Sequence, residues 1–275
     1  MTRGQPLAAV LVALVAVLPA CAADRQPTSG KSVSKAAAGT SVVRVAAASD
    51  LKFALDELEG VLAEQHPDVE LKLTYGSSGT FLQQISNGAP FDVFLSADLD
   101  YPAELVDQEL ASGEDVFEYA AGRLVVWTPE GSAVDPADGL RVLARRDVRR
   151  VAIANPEHAP YGRAAVAAMK HAGVYDEVRR KLVLGESVAQ AADFVHSGGA
   201  DAGVVAMSLV LSDPLRGEGR WVAVPRDAYP RLRQGGVVLA SARDPEAARV
   251  VQDAMTSEEG RAVLERYGFF LPEGD

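Results

Sequence analysis

Along the chain, short apolar runs alternate with longer stretches in which apolar residues recur every three or four positions. Val42 to Ala48 is rich in Val and Ala and reads as a buried strand; Leu51, Ala54, Leu55, Leu58, Val61 and Leu62 then recur at helical spacing until His66-Pro67 stops them. Val69, Leu71, Leu73 and Tyr75 alternate with Glu70, Lys72 and Thr74, a half-buried strand that runs into Gly76-Ser77-Ser78-Gly79. A helix is predicted from Thr80 to Asn87-Gly88, a strand at Phe91 to Leu95, a helix with Pro102 in its first turn reaching Leu110, and a strand at Leu124 to Trp127. The second half continues with a strand at Val151 to Ala154, a helix from Gly162 to Ala172 stopped by Gly173, and a short strand at Leu182 to Leu184. Ser187 caps a helix that Gly198-Gly199 ends, and strands follow at Ala202 to Val205, Trp221 to Val224 and Val237 to Leu239. Two helices starting at Pro245 and Ser257 close the chain.

This alternation predicts an α/β protein with mainly parallel sheets and helices on both faces, in which ligands bind beyond the carboxyl ends of the strands. The length, 275 residues, suits two compact units or one large α/β body. A content of 48% hydrophobic and 24% charged residues, with a formal charge of −11, excludes a disordered chain and a nucleic-acid role for the chain as a whole. A single Cys excludes an internal disulfide and a cysteine-built metal site.

The amino terminus predicts export. Arg3 precedes an unbroken apolar run from Leu7 to Leu18, 12 residues long, whereas spanning a bilayer takes about 20. Leu18-Pro19-Ala20-Cys21 resembles the lipobox of bacterial lipoproteins, whose Cys becomes the acylated first residue, although Pro19 departs from the usual residue there. A plain secretory signal cleaved near residues 20–23 is the alternative. Loss of Arg3 makes the mature charge one unit more negative, so anionic lipid repels the body and lipid on Cys21 would have to anchor it. Residues 22–41, rich in Ala, Ser, Thr, Gly and Lys, read as a flexible tether.

Four predicted strand-to-helix junctions have related chemistry: Ala48-Ser49-Asp50, Gly76-Ser77-Ser78-Gly79-Thr80, Asn155 to Gly162, and Gly185-Glu186-Ser187-Val188. Helix starts leave backbone N–H groups unpaired and carry partial positive charge, so several converging starts form an anion site without Lys or Arg. At any one junction alone, a helix cap is the plain reading.

Ala46-Ala47-Ala48-Ser49, Tyr75-Gly76-Ser77-Ser78-Gly79, the run Gly88-Ala89-Pro90-Phe91-Asp92-Val93-Phe94-Leu95-Ser96-Ala97-Asp98, Asn155-Pro156-Glu157-His158-Ala159-Pro160 and Arg266-Tyr267-Gly268-Phe269 together resemble, in order, the periplasmic molybdate-binding proteins of ABC importers. The resemblance runs from about Val42 to Phe270. It implies the two-lobed periplasmic-binding-protein fold, with a hinge of two crossing segments, closing on a tetrahedral oxyanion held by hydroxyls and backbone N–H groups. On that resemblance Ser49 and Ser78 donate from side chain and backbone, and Tyr161 and Val188 each give a backbone N–H from the second lobe. A tyrosine hydroxyl that many members add falls here at Ala206, so that donor is lost or replaced from elsewhere, with the Tyr161 ring as one source. The implied lobes are residues 42–121 with 236–272, and 122–235, with glycines at both crossings.

The ligand so implied is molybdate, with tungstate alongside it because the two ions share size and charge. No cofactor, catalytic residue or metal cation is expected. The partners are a small oxyanion, a membrane permease, and the membrane through lipid on Cys21, for a monomer on the outer side of the membrane. Phosphate, sulfate or a ligand-sensing role without transport are the alternatives. Asp50 has three readings: a helix-start residue facing away, a proton acceptor suited to phosphate, or a ligand to another species. Catalysis finds no support, since Gly76-Ser77-Ser78-Gly79 is not a G-x-S-x-G elbow and His66, His158, His171 and His196 stand singly.

Overall fold

In the computed structural model, which describes residues 39–272, ten strands divide into two five-stranded sheets. The first contains β1 (Ser41–Ala48), β2 (Val69–Gly76), β3 (Val93–Ser96), β4 (Ala111–Gly122) and β10 (Leu232–Leu239) in the order β2-β1-β3-β10-β4. The second contains β5 (Leu124–Pro129), β6 (Val151–Ala154), β7 (Leu182–Gly185), β8 (Ala202–Ala206) and β9 (Gly219–Ala223) in the order β7-β6-β8-β5-β9. The signal segment, Cys21 and residues 22–38 of the expected tether lie outside the described residues.

The two sheets share one plan. Pairs β1–β2, β1–β3, β6–β7 and β6–β8 are parallel, whereas β10 is antiparallel to β3 and β4, and β5 to β8 and β9. Four strands of each sheet therefore run one way, with a single reversed strand in fourth place. The reversed strands are those the chain enters on crossing between lobes, β5 directly after β4 and β10 after β9. A crossing chain re-enters beside the strand it has to pair with, and antiparallel pairing needs no crossover helix.

The helices α1 (Lys52–Gln65), α2 (Ser78–Ser86), α3 (Asp100–Asp107), α4 (Pro160–His171), α6 (Val188–His196), α8 (Pro245–Thr256) and α9 (Glu258–Arg266) are joined by two single turns, α5 (Tyr175–Val178) and α7 (Met207–Val210). In lobe one, α1, α8 and α9 bury Leu55, Leu58, Val251 and Val263 on one face of the sheet, while α2 and α3 bury Phe81, Ile85 and Leu105 on the other. Lobe two has its own core around Trp127, Ile153 and Met169. Both sheets are covered on both faces, which is why their parallel strands read as short apolar runs.

Several boundaries differ from the sequence expectation. Helix α2 begins at Ser78 rather than Thr80, α3 ends at Asp107 rather than Leu110, and β3 begins at Val93 rather than Phe91. β4 has no counterpart among the expected strands, and β10 begins at Leu232 rather than Val237. Leu232–Gly235 therefore pair in the first sheet, ahead of the boundary expected at residue 236. The glycines expected at the crossings have a packing role, and Gly236 lies within β10 rather than at a crossing. A Cβ on Gly122 would lie 2.1 Å from the Tyr161 hydroxyl, and one on Gly236 2.4 Å from the Phe117 ring; neither residue has positive φ. Close approach of neighbours dictates glycine at both.

Candidate functional site

All four junctions singled out in the sequence meet in one cleft between the lobes. Its lining comes from the ends of β1 (Ala48 to Asp50), β2 and α2 (Gly76 to Ser78), β3 (Ala97), the start of α4 (Ala159 to Tyr161) and the start of α6 (Val188). Each lies at the carboxyl end of a parallel strand or on the helix that follows it. The cavity is small, about 10 Å³, which is room for about one water-sized group. A larger ion enters only as the lobes part.

Ser49, Ser78, Tyr161 and Val188 are all brought together here, and all are buried. The Ser78 Oγ accepts the Ala97 N–H at 3.0 Å, and the Ser49 Oγ accepts the Ala189 N–H of α6 at 3.2 Å. Each hydroxyl oxygen thus uses a lone pair on an amide and keeps its own hydrogen for another acceptor. The N–H groups of Ser78, Tyr161 and Val188 belong to first helical turns, where no intrahelical acceptor exists. Ser187 caps α6 by accepting the Gln190 N–H at 3.3 Å, which fixes the direction of that helix start. Among the described residues, no Lys or Arg lines the cleft. Its positive potential comes from amides and helix dipoles.

The lobes are tied at three levels. At the lip, the His158 carbonyl accepts the Gly79 N–H at 2.9 Å and the Ser77 hydroxyl at 2.6 Å. Outside it, Arg163 of α4 donates to Asp98 at 2.5 Å and to the Tyr101 hydroxyl at 2.6 Å. Beneath the cleft, the buried Asp50 Oδ2 accepts the Tyr161 hydroxyl at 2.9 Å and the Gln234 Nε2 at 2.5 Å. Asp50 is therefore more than a simple helix-start residue: it lines the cleft, and its carboxyl joins Tyr161 to Gln234. The Tyr161 hydroxyl is spent on Asp50. Ala206 is buried at the end of β8, and Ser208, two residues on, donates to the Asp50 carbonyl at 2.7 Å. Asp92 has a structural role, accepting the backbone N–H groups of Arg44 and Arg243.

Burial pushes the Asp50 carboxyl up to about 6, against the opposing effect of the Gln234 and Tyr161 hydrogen bonds. Burial likewise drives the Tyr161 and Tyr119 hydroxyls well above their ordinary value. An acid whose folded value is raised favours the folded state at low pH and loses that contribution as pH climbs through the folded value. Asp50→Asn is therefore expected to melt at a higher temperature than the parent above about pH 6, with the gap closing as pH falls toward 4, in ligand-free thermal melts.

Gln234, Ser208, Arg163 and the His158 carbonyl were not among the residues expected at the site. The one local signal was a polar Gln immediately before Gly235-Gly236 and an apolar run. Among the described residues, no group of three or more His, Cys, Asp or Glu is arranged to hold a metal ion, and no helix is long and apolar enough to cross a membrane.

The chain is similar to known proteins over most of its length. The molybdate-binding protein ModA of Azotobacter vinelandii is 35% identical over 266 residues, 96% of this chain and 98% of its own length. ModA of Rhodobacter capsulatus is 36% identical over 210 residues, 76% of this chain and 81% of that protein. The solved periplasmic molybdate-binding protein of Azotobacter vinelandii superposes with a TM-score of 0.78 at 32% identity, covering 84% of this chain and all of that one. The profile of the bacterial extracellular solute-binding proteins matches residues 43–270. With the profile spanning both lobes and the cleft between them, the chain belongs to the bacterial extracellular solute-binding protein family and is a binding protein rather than an enzyme.

Proposed function

We propose that this protein is the substrate-binding component of a molybdate ABC importer, and that Ser49, Ser78, Tyr161 and Val188 hold the ion. The observation that carries the reading is the convergence of helix starts from both lobes on one small cleft in which, among the described residues, no Lys or Arg takes part. An ion seated there accepts the Ser49 and Ser78 hydroxyls together with amides from α2, α4 and α6. It displaces the Ser49–Ala189 bond and substitutes contacts to both lobes. Ligand thereby favours the closed form, and a membrane permease reads that form.

Tungstate, of nearly equal size and charge, belongs to the same ligand class. Smaller sulfate leaves part of the donor set too distant to bond. The protein acts outside the cytoplasm as a monomer, held to the membrane by lipid on Cys21. The lobes divide at the β4–β5 junction and in the segment between β9 and β10.

Calorimetric titration of the chain lacking residues 1–20 with molybdate, tungstate, sulfate and phosphate tests the reading. Binding of the first two and not of sulfate is expected. Ser49→Ala and Ser78→Ala should each weaken molybdate by about 1–2 kcal/mol, about 5- to 30-fold in Kd. Equal affinity in both variants would show that the ion sits elsewhere. A second reading, monohydrogen phosphate, rests on Asp50 lining the cleft, because an ionised carboxylate accepts the ligand's own proton. Phosphate binding that disappears in Asp50→Asn would establish it in place of molybdate.

A further inference from the structure

Among the described residues, Asp50 is the one acid lining the cleft, and the donor set described above gives it no part. Its Oδ2 is held by Tyr161 of α4 and Gln234 of β10, whereas its Oδ1 is buried without a partner. The groups around it are uncharged. Tyr161 and Tyr119 of β4 face the carboxyl, and Tyr229, ahead of β10, faces Tyr161; burial raises all three hydroxyls above their ordinary value. Ser208 of α7 holds the Asp50 carbonyl, while α2 and α6 present Ser77, Ser78 and Val188. The Lys52 ammonium is engaged with Asp56 and the Tyr75 ring, and the His158 ring with Ser77 and Thr80.

A doubly negative ion in this cleft comes beside a carboxyl that no cation among the described residues neutralises. Two anions in contact at a buried site cannot both persist, and the usual outcome is that one takes a proton. Molybdate stays a dianion near neutral pH, so the carboxyl is the group that yields. Resting on the oxyanion reading of the cleft, we propose that Asp50 takes a proton from solvent onto Oδ1 as the dianion binds and donates that O–H to one of its oxygens.

The site then contains a donor whose presence depends on pH. Burial already brings the carboxyl to about 6 before any ligand arrives, so near neutrality the free protein is mostly ionised and the proton comes from water or buffer. Affinity is then level well below pH 6 and falls about tenfold per pH unit well above it, because only the protonated fraction is competent. Monohydrogen phosphate behaves differently. It brings its own proton to the ionised carboxylate and binds without uptake.

The test is calorimetric titration with sodium molybdate at pH 7.5 in buffers of different ionisation enthalpy, repeated from pH 6.5 to 8.5. Uptake of about one proton per ion and a rise in Kd of about tenfold between pH 7 and 8 are expected. Asp50→Asn, neutral and able to donate an N–H, should lose both the uptake and the slope. Molybdate binding with no buffer dependence and a constant Kd overturns the proposal while leaving the molybdate site intact. Proton uptake that persists in Asp50→Asn also overturns it, since the proton then belongs to another group. If molybdate gives no binding at any pH, the site reading fails and this inference fails with it. The parent protein alone reports the uptake, so the outcome does not depend on the variant folding.

Discussion

Gly79→Val is expected to weaken molybdate binding by up to about 100-fold while each lobe keeps its fold. A Cβ at residue 79 would stand 2.5 Å from the His158 carbonyl oxygen and 3.0 Å from its Cα, both backbone atoms of the opposite lobe. Backbone cannot rotate aside as a side chain does, so the lobes have to stay apart. The Gly79–His158 and Ser77–His158 bonds at the lip are lost with the approach. Overpacking of about 3 kcal/mol acts only on the closed form, and a penalty on the competent state passes directly into apparent affinity, about 100-fold. Gly60→Ala is the matching control, because Gly60 lies within α1 with nothing near its Cβ position. Calorimetry on the two variants separates the cases. Equal affinity in Gly79→Val and the parent would mean that the ion is bound without closure at the lip.

The largest loss of stability is expected from Trp127→Ala. Trp127 is fully buried at the centre of lobe two, on the reversed strand β5 between β8 and β9. Gly219 makes space for it, since a Cβ there would lie 2.4 Å from the indole nitrogen. Truncation leaves a cavity that the sheet backbone cannot collapse into, at a cost of about 3–5 kcal/mol. For a chain of this size that lowers Tm by about 10 °C or more. Thermal melts check it. A change of only a degree or two would show that lobe two repacks freely around the gap.

What the sequence disclosed and what it concealed follow from where the information lies. Helices α1, α4, α6, α8 and α9 carried their own stops and caps: His66-Pro67, Gly173, Ser187, Pro245 and Ser257. The junction residues Ser49, Ser78, Tyr161 and Val188 were legible because helix-start chemistry is local and because the ordered motifs resemble a known family. β4 was not legible. Its first half, Ala111 to Asp115, contains Gly, Glu and Asp and is mostly exposed, and the strand is held by pairing with β10, more than a hundred residues away in the chain. The first half of β10 was hidden for the same reason, since Arg233, Gln234, Gly235 and Gly236 have little strand propensity of their own. The Asp50–Tyr161–Gln234 cluster unites three distant segments. No spacing rule connects them.

The pairing of Leu232 with Gly122 makes the second lobe an insertion. The chain leaves the first sheet at one end of β4 and returns directly beside that point, while Ser41 and the Phe270 bridge to Ala121 both belong to lobe one. Residues 123–231 could thus be replaced by a tight hairpin turn without breaking any strand of the first sheet. Residues 123–231, conversely, begin and end side by side at the edge of that pairing.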